Sequence, residues 1–297
     1  MKRILLTVAY DGTGYSGFQA QKSGVPTIEK ELNEAITELT GVPTQVSGAS
    51  RTDAGVHALC NLAVFDTPSR IPAEKFANAL NVRLPAQICV QHSREVPDDF
   101  HPRFCETVKT YEYVIYNARF PSPRRSRFTC YSYTPFDVSR MAEAAGYLVG
   151  KHDFKSFCSV HTQALTTVRT ITDIEVTERP CLQEQAAQSV TAKIPSDTDT
   201  VEAIAGAGSQ NTGSFREVSP REIVIRVSGT GFLYNMVRII AGTLMEVGRG
   251  AIRPDEMPRI LKACDRSAAG PTAPPEGLTL VRYRILSEGT EPGSAEA

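Results

Sequence analysis

The sequence predicts an α+β fold: an extended, mostly antiparallel sheet built from two α/β subdomains and flanked by helices. Segments of strand period and helix period mix irregularly along the 297 residues, without the strict strand–helix alternation that feeds a parallel sheet. No G-x-G-x-x-G opens a helix, so the signature of the doubly wound dinucleotide folds is missing. Nine or so strand-like segments share one chain, which makes the sheet long. A hydrophobic content of 41% supplies a sizeable core.

The first strand runs from Arg3 to Tyr10 and enters a glycine-rich turn, Asp11 to Gly17. A helix follows from Thr27 to Leu39. Thr27 is its N-cap, Glu29 and Glu31 suit the first-turn dipole, and Gly41 ends it. Ile28, Leu32, Ala35, Ile36 and Leu39 form its apolar face at helical spacing. Thr44 to Ala49 and Asn61 to Phe65 read as short strands around the segment Ser50 to His57. A second helix starts at Pro72 and ends before Pro85.

The second half begins near Cys105, giving an N-terminal subdomain over 1–104 and a C-terminal one over 105–286. Lys109 to Tyr116 alternates as a strand, with Tyr111, Tyr113 and Ile115 on one face. Asp137 caps a helix through Met141, Ala145 and Leu148 that Gly150 stops. Arg169 to Thr177 and Ile223 to Ser228 read as neighbouring strands. Between them, 180–220 is polar and aperiodic and reads as a disordered surface insertion. Helices follow over Leu233 to Val247 and Pro254 to Cys264, then a last strand over Leu278 to Ile285. Residues 287–297 read as a disordered tail.

Charge is unevenly placed. The formal net charge of −1 hides five acids against two bases in 180–220 and three acids without a base in 287–297, which leaves +5 for the remainder. Arg119, Arg124, Arg125 and Arg127 fall within nine residues, either a phosphate-neutralising patch or a solvated loop. Seven cysteines stand singly with no C-x-x-C pair, which argues against a disulfide framework and a structural zinc site. No apolar run reaches the roughly 18 residues of a membrane helix, and the N-terminal apolar stretch is too short for a signal peptide, so a cytoplasmic protein is expected.

Chemistry concentrates at Asp53, in a turn of small residues between two strands. Arg51 precedes it by two positions, and Ala54 and Gly55 let a ligand or another backbone come close. A nearby arginine would favour the charged carboxylate, which suits nucleophilic attack at a sugar or an electron-poor ring. On its own, an aspartate here also reads as ordinary turn chemistry.

The surrounding blocks change that balance. Gly48-Ala-Ser-Arg-Thr-Asp-Ala-Gly-Val-His-Ala58 closely resembles the active-site signature of the bacterial tRNA pseudouridine synthase A family. Tyr10 to Gln21, Phe100 to Phe104, Lys109 to Tyr113, Gly150 to Phe154, Gly229 to Arg238 and Pro274 to Leu278 resemble further blocks of that family, in family order from residue 3 to about 286. Phe18 stands where the family often has tryptophan, Pro102 where alanine is usual, and the 180–220 insertion is unusually long.

The resemblance implies the pseudouridine synthase fold and the isomerisation of uridine to pseudouridine at positions 38–40 of the tRNA anticodon stem-loop. It implies Asp53 as catalytic nucleophile, attacking C1′ or ring carbon C6, with no cofactor. Tyr111 matches the tyrosine that stacks near the target base, Arg238 the arginine that pairs with the catalytic carboxylate, and Arg51 the arginine that helps extrude the base. His57, His101 and His152 are expected to be structural, and Tyr113 core. The family works as a homodimer gripping one tRNA arm, and the apolar Phe232–Val247 stretch is compatible with that. The alternative is a non-catalytic tRNA-binding or folding protein on the same fold. A two-carboxylate glycosidase lacks a second acid in a comparable turn.

Overall fold

The computed structural model describes residues 1–181 and 219–286. The expected tail lies outside the described residues, as does the insertion apart from its flanks. Ten strands form one sheet in the order β4-β1-β3-β10-β5-β9-β8-β7, with β2 (Ser47–Gly48) on β3 and β6 (Cys130–Ser132) on β5. The strands of the main path are β1 (Lys2–Tyr10), β3 (His57–Thr67), β4 (Ile88–Val96), β5 (Thr107–Asn117), β7 (Gly150–Asp153), β8 (Val168–Pro180), β9 (Arg221–Gly229) and β10 (Leu278–Ile285). Pairing is antiparallel except for β10 on β3 and β5 on β6. The expected α+β class with a mostly antiparallel sheet is therefore what the chain adopts.

Side-chain alternation splits the sheet into two faces. Ile4, Leu6, Val8 and Tyr10 of β1 join the main core, whereas Leu5 joins a small second cluster with Leu62, Val64 and Val96. The helices α1 (Ile28–Thr40), α2 (Phe76–Asn81), α3 (Val138–Gly146), α4 (Met236–Gly248) and α5 (Met257–Ala263) all send buried residues into the main core. The periodicity in α1 is met as read: the Thr27 side chain accepts from Lys30 N, and Gly41 takes the left-handed conformation at the C-cap.

Several boundaries differ from expectation for local reasons. The strand expected over 44–49 shrinks to Ser47–Gly48, because side chains of α1 take its backbone donors: Thr44 N donates to Thr37 Oγ1 and Val46 N to Asn33 Oδ1. The second helix is a 3-10 turn over Ala73–Lys75 followed by α2, shorter than expected, and the Asn81 side chain turns to bind both backbone groups of Val90. Strand β4 carries a register shift opposite Thr7 and Val8, which breaks the alternation that would have announced it. Helix α3 ends at Gly146, and Gly150 opens β7 instead of stopping the helix.

Helix α4 starts at Met236 and buries ten of its thirteen residues within this chain. Its apolar surface, read from sequence as compatible with a partner subunit, is consumed by the core instead. Tyr113 is fully buried, its hydroxyl donating to Pro274 O.

Candidate active site

Asp53 begins a tight turn in which Val56 N donates to Asp53 O at 3.2 Å. Gly55, third in that turn, has φ +77°, the positive value a type II turn requires there. The N-terminal segment clamps the turn from one side. Gly17, at φ +90°, lies so close to Thr52 O that an added Cβ would come within 2.6 Å of it, and Phe18 N donates to the same carbonyl. Glycine is thus needed at 17 both for conformation and for space.

A buried polar network holds the preceding residues. Asn61, fully enclosed on β3, donates through Nδ2 to Ser50 O at 2.9 Å and to the Tyr10 hydroxyl at 3.1 Å, and accepts from Ser50 N at 3.2 Å. The Tyr10 and Thr52 hydroxyls share a further bond of 2.8 Å. Burial pushes the Tyr10 phenol above its ordinary pKa, so it stays protonated and serves as structure. The Ser50 hydroxyl takes no part in this network, but the bonds to the Ser50 backbone and the Tyr10 phenol hold the turn's backbone in place.

From this turn Asp53 faces a cleft of about 990 Å³. Its side chain is 15% exposed. Oδ2 lies 3.4 Å from Arg238 Nη1, so Arg238, and not Arg51, is the charge partner. Burial pushes the Asp53 carboxyl above the usual aspartate range, and Arg238 opposes that rise without cancelling it. The expectation that a nearby arginine alone would set the carboxylate therefore needs correcting: desolvation is the larger effect.

Arg238 sits in the first turn of α4, where a cation works against the helix dipole unless an anion offsets it. It is tied down at three points: Nε donates to Ala273 O at 2.8 Å, and Nη1 donates to Asn235 Oδ1 at 2.9 Å as well as reaching Asp53. Asn235 is one of two non-glycine residues with positive φ among the described residues, at 62°. It occupies the N-cap of α4, yet its side chain caps no backbone N–H and holds the guanidinium instead. A residue giving up its ordinary capping role for a side chain beside the cleft is strain of the functional kind.

The other sequence-marked residues divide. Tyr111, on β5, lines the same cleft and meets Phe232 edge to face at 5.1 Å between ring centroids. Burial, with Tyr10 and Asp53 adding, raises its phenol pKa. Arg51 is exposed at the cleft wall. Of the arginine-rich segment none lines the cleft; Arg125 pairs with Glu222, and Arg127 lies 3.7 Å from Asp11. His57 is buried, its Nδ1 accepting from Gly12 N at 3.0 Å, and burial lowers its pKa. Nor do His57, His101 and His152 line the cleft.

Sequence reasoning passed over Arg103, Lys109, Arg169, Phe232 and Tyr234, which also line it. Arg103, Lys109, Phe232 and Tyr234 lie inside the motif blocks already singled out. Asn61 gave a signal as a polar residue within a strand. Among the described residues Asp53 is the one acid on a wall that carries Arg51, Arg103, Lys109 and Arg169. Among the described residues no three His, Cys, Asp or Glu side chains gather as a metal-holding group, and no helix is long and apolar enough to cross a membrane.

This arrangement, a lone half-buried carboxylate beside aromatic faces in a basic cleft, suits an anionic polymer bearing a planar base. Comparison with known proteins points the same way. A family model described as tRNA pseudouridine synthase matches residues 6–105 and 144–284. The chain is 41% identical over 281 residues to tRNA pseudouridine synthase A of Acetivibrio thermocellus, covering 95% of this chain and 98% of that protein. It is 41% identical over 280 residues to the Brevibacillus brevis protein of the same name, covering 94% and 98%, and 38% identical over 282 residues to that of Thermoanaerobacter sp., covering 95% and 99%. The matched segments contain Asp53, Arg238 and the turn that joins them to the cleft, and on that ground the chain belongs to the tRNA pseudouridine synthase family, a family of isomerases.

Proposed function

We propose that this chain converts uridine to pseudouridine at positions 38–40 of the tRNA anticodon stem-loop, with Asp53 as nucleophile and no cofactor. The observation that carries the reading is the carboxylate of Asp53, paired with Arg238 and facing a cleft whose wall also carries Arg51, Arg103, Lys109 and Arg169 and the rings of Tyr111, Phe232 and Tyr234. A nucleoside everted into that cleft meets Asp53 at its sugar or at ring carbon C6. The N1–C1′ bond breaks, the uracil turns, and C5 bonds to C1′. The proton leaving C5 is balanced by the one gained at N1, so substrate and product are isomers and no outside group is consumed.

Tyr111 supports the base by stacking, and its hydroxyl exchanges a proton with it. Arg238 holds the carboxylate in place, and Arg51, exposed at the wall, assists eversion from the stem. A homodimer and a cytoplasmic location belong to the same reading. The dimer draws no support from α4, whose apolar surface is buried in the protomer; sedimentation at micromolar concentration tests it directly.

The decisive experiment maps pseudouridine in unmodified tRNA incubated with wild type and with Asp53→Ala. Product at 38, 39 or 40 with the wild type alone is expected. Full product with Asp53→Ala would leave the alternative, a tRNA-binding protein without this chemistry at Asp53.

A further inference from the structure

Three of the four cations on the cleft wall, Arg51, Arg103 and Lys109, act on one another's charge in series, and among the described residues Glu29 is the acid that acts on Arg103. Arg103 is anchored through Nε to Gly48 O at 2.7 Å, which leaves its two Nη groups without an acceptor among the described residues. Lys109 lies over the Tyr283 ring at 5.1 Å from the centroid, and Arg51 stands exposed on the catalytic turn. None of the three forms an ion pair among the described residues, whereas Arg3, Arg125, Arg221, Arg226 and Arg238 all do.

The group is built, not accidental. Tyr283 of β10 stands opposite Lys109 of β5 in the sheet register, so its ring props the lysine. The same phenol donates to Pro102 O at 3.0 Å and so fixes the turn that carries Arg103. That turn is closed by Phe104 N donating to His101 O, and Arg103 N donates to His101 Nδ1 at 3.2 Å. One aromatic side chain therefore sets the positions of two cations.

Like charges gathered in a half-buried place repel. Burial and the charge of Arg51 lower the Arg103 pKa, and burial with the charge of Arg103 lowers Lys109 to about 8. Arg103 on the turn acts on Lys109 directly and Tyr283 on β10 lies under it; Arg51, Asp53 and Arg169 line the same cleft, Glu29 acts on Arg103, and Gly229, opposite Lys109 on β9, adds no charge. An anion seated between them relieves the repulsion.

We propose that Arg103 and Lys109, with Arg51 at the rim, form a phosphodiester-binding subsite that holds the RNA backbone beside the everted nucleotide. This rests on the functional reading above and extends it to Arg103 and Lys109, which were given no role there. Backbone contacts position without reading sequence, so one such subsite serves neighbouring uridines alike. Asp53 then acts on whichever nucleoside the clamped phosphate presents.

The test measures binding of an unmodified tRNA transcript to the full chain as wild type, Lys109→Gln and Lys109→Arg, against salt and between about pH 7 and 8.8. Lys109→Gln is expected to weaken binding about 5- to 10-fold and to flatten the salt slope by about one. Wild-type affinity falls as pH rises through about 8, because the free enzyme then loses the Lys109 proton, whereas Lys109→Arg holds its affinity across the range. If the two share one pH profile, or if Lys109→Gln binds with wild-type affinity and slope, the subsite is wrong while the isomerase reading stands. A wild type that does not bind tRNA at all would overturn both.

Discussion

The guanidinium of Arg238 meets the carboxylate of Asp53 at 3.4 Å, bridging 185 positions of sequence beside the cleft. The contact is at the long end of hydrogen-bonding range, and the same nitrogen is held more tightly by Asn235 at 2.9 Å. The carboxylate is therefore oriented without being locked, which suits the nucleophilic role proposed for it.

Removing that cation has a definite sign. Burial raises the Asp53 pKa and Arg238 lowers it, so Arg238→Gln raises it further. In the proposed reaction the ionised form is the nucleophile, so the acid limb of the single-turnover pH profile is expected to move to higher pH. Lys at 238 keeps part of the charge and falls between. An acid limb unmoved in Arg238→Gln would show that the pair does not govern the reacting group.

Asp53 costs the fold stability. Its folded pKa lies above its unfolded value, so folding is disfavoured progressively as pH climbs from the unfolded pKa through the folded one, and the cost persists above. Asp53→Asn is expected to melt roughly 1–3 °C higher than wild type at pH 7, with the gain vanishing near pH 3. Thermal melts at the two pH values check this; an equal or lower melting temperature at pH 7 contradicts it.

Asn61→Ala strips the loop of its anchor. Three hydrogen bonds go, and the Ser50 backbone groups lose their buried partner. Unfolding in urea should register a loss of about 2–4 kcal/mol, with pseudouridine formation reduced even where the protein stays folded. Wild-type stability would mean that water replaces the amide, and that the network does not hold the turn.

Tyr111→Phe separates ring from hydroxyl. The ring and its edge-to-face contact with Phe232 persist, so tRNA affinity should hold. The single-turnover rate at saturating tRNA should fall at least about 10-fold if the hydroxyl exchanges the C5 proton, within the usual range for such catalysis. An unchanged rate would leave Tyr111 a stacking platform alone.

Much of the fold was legible wherever one periodicity ran unbroken. The apolar stripe of α1 with Thr27 and Gly41 at its ends, and the closing strand Leu278–Ile285, could be read directly. Strand β4 could not, because its register shift moves the apolar set to the other face partway along. The stretch 44–49 reads as strand by composition, yet its donors are claimed by Asn33 and Thr37 on a helix whose position no local pattern reveals. At the site, Asp53, Tyr111, Arg51 and Arg238 were marked through motif blocks, whereas the partner of Asp53 was not evident from its neighbours. Arg51 is two residues away and exposed; Arg238 is remote and adjacent. Lys109 and Arg103 sat unnoticed in marked blocks because whether a cation is paired is a property of three dimensions.

The sheet's two halves touch through one strand. Strand β10 lies between β3 and β5, and it meets β3 only at Thr279 with His57 and Leu280 with Ala58. Since β10 is the final strand of the described chain, the half bearing Asp53 must wait, during synthesis, for nearly all the rest to emerge before it can be joined. A ribosome stalled before residue 278 would leave the two halves of the sheet without their shared strand, each with a raw β-edge and held together only by contacts such as Asp53 with Arg238 and His57 with Phe128, so activity should arise late as the nascent polypeptide lengthens.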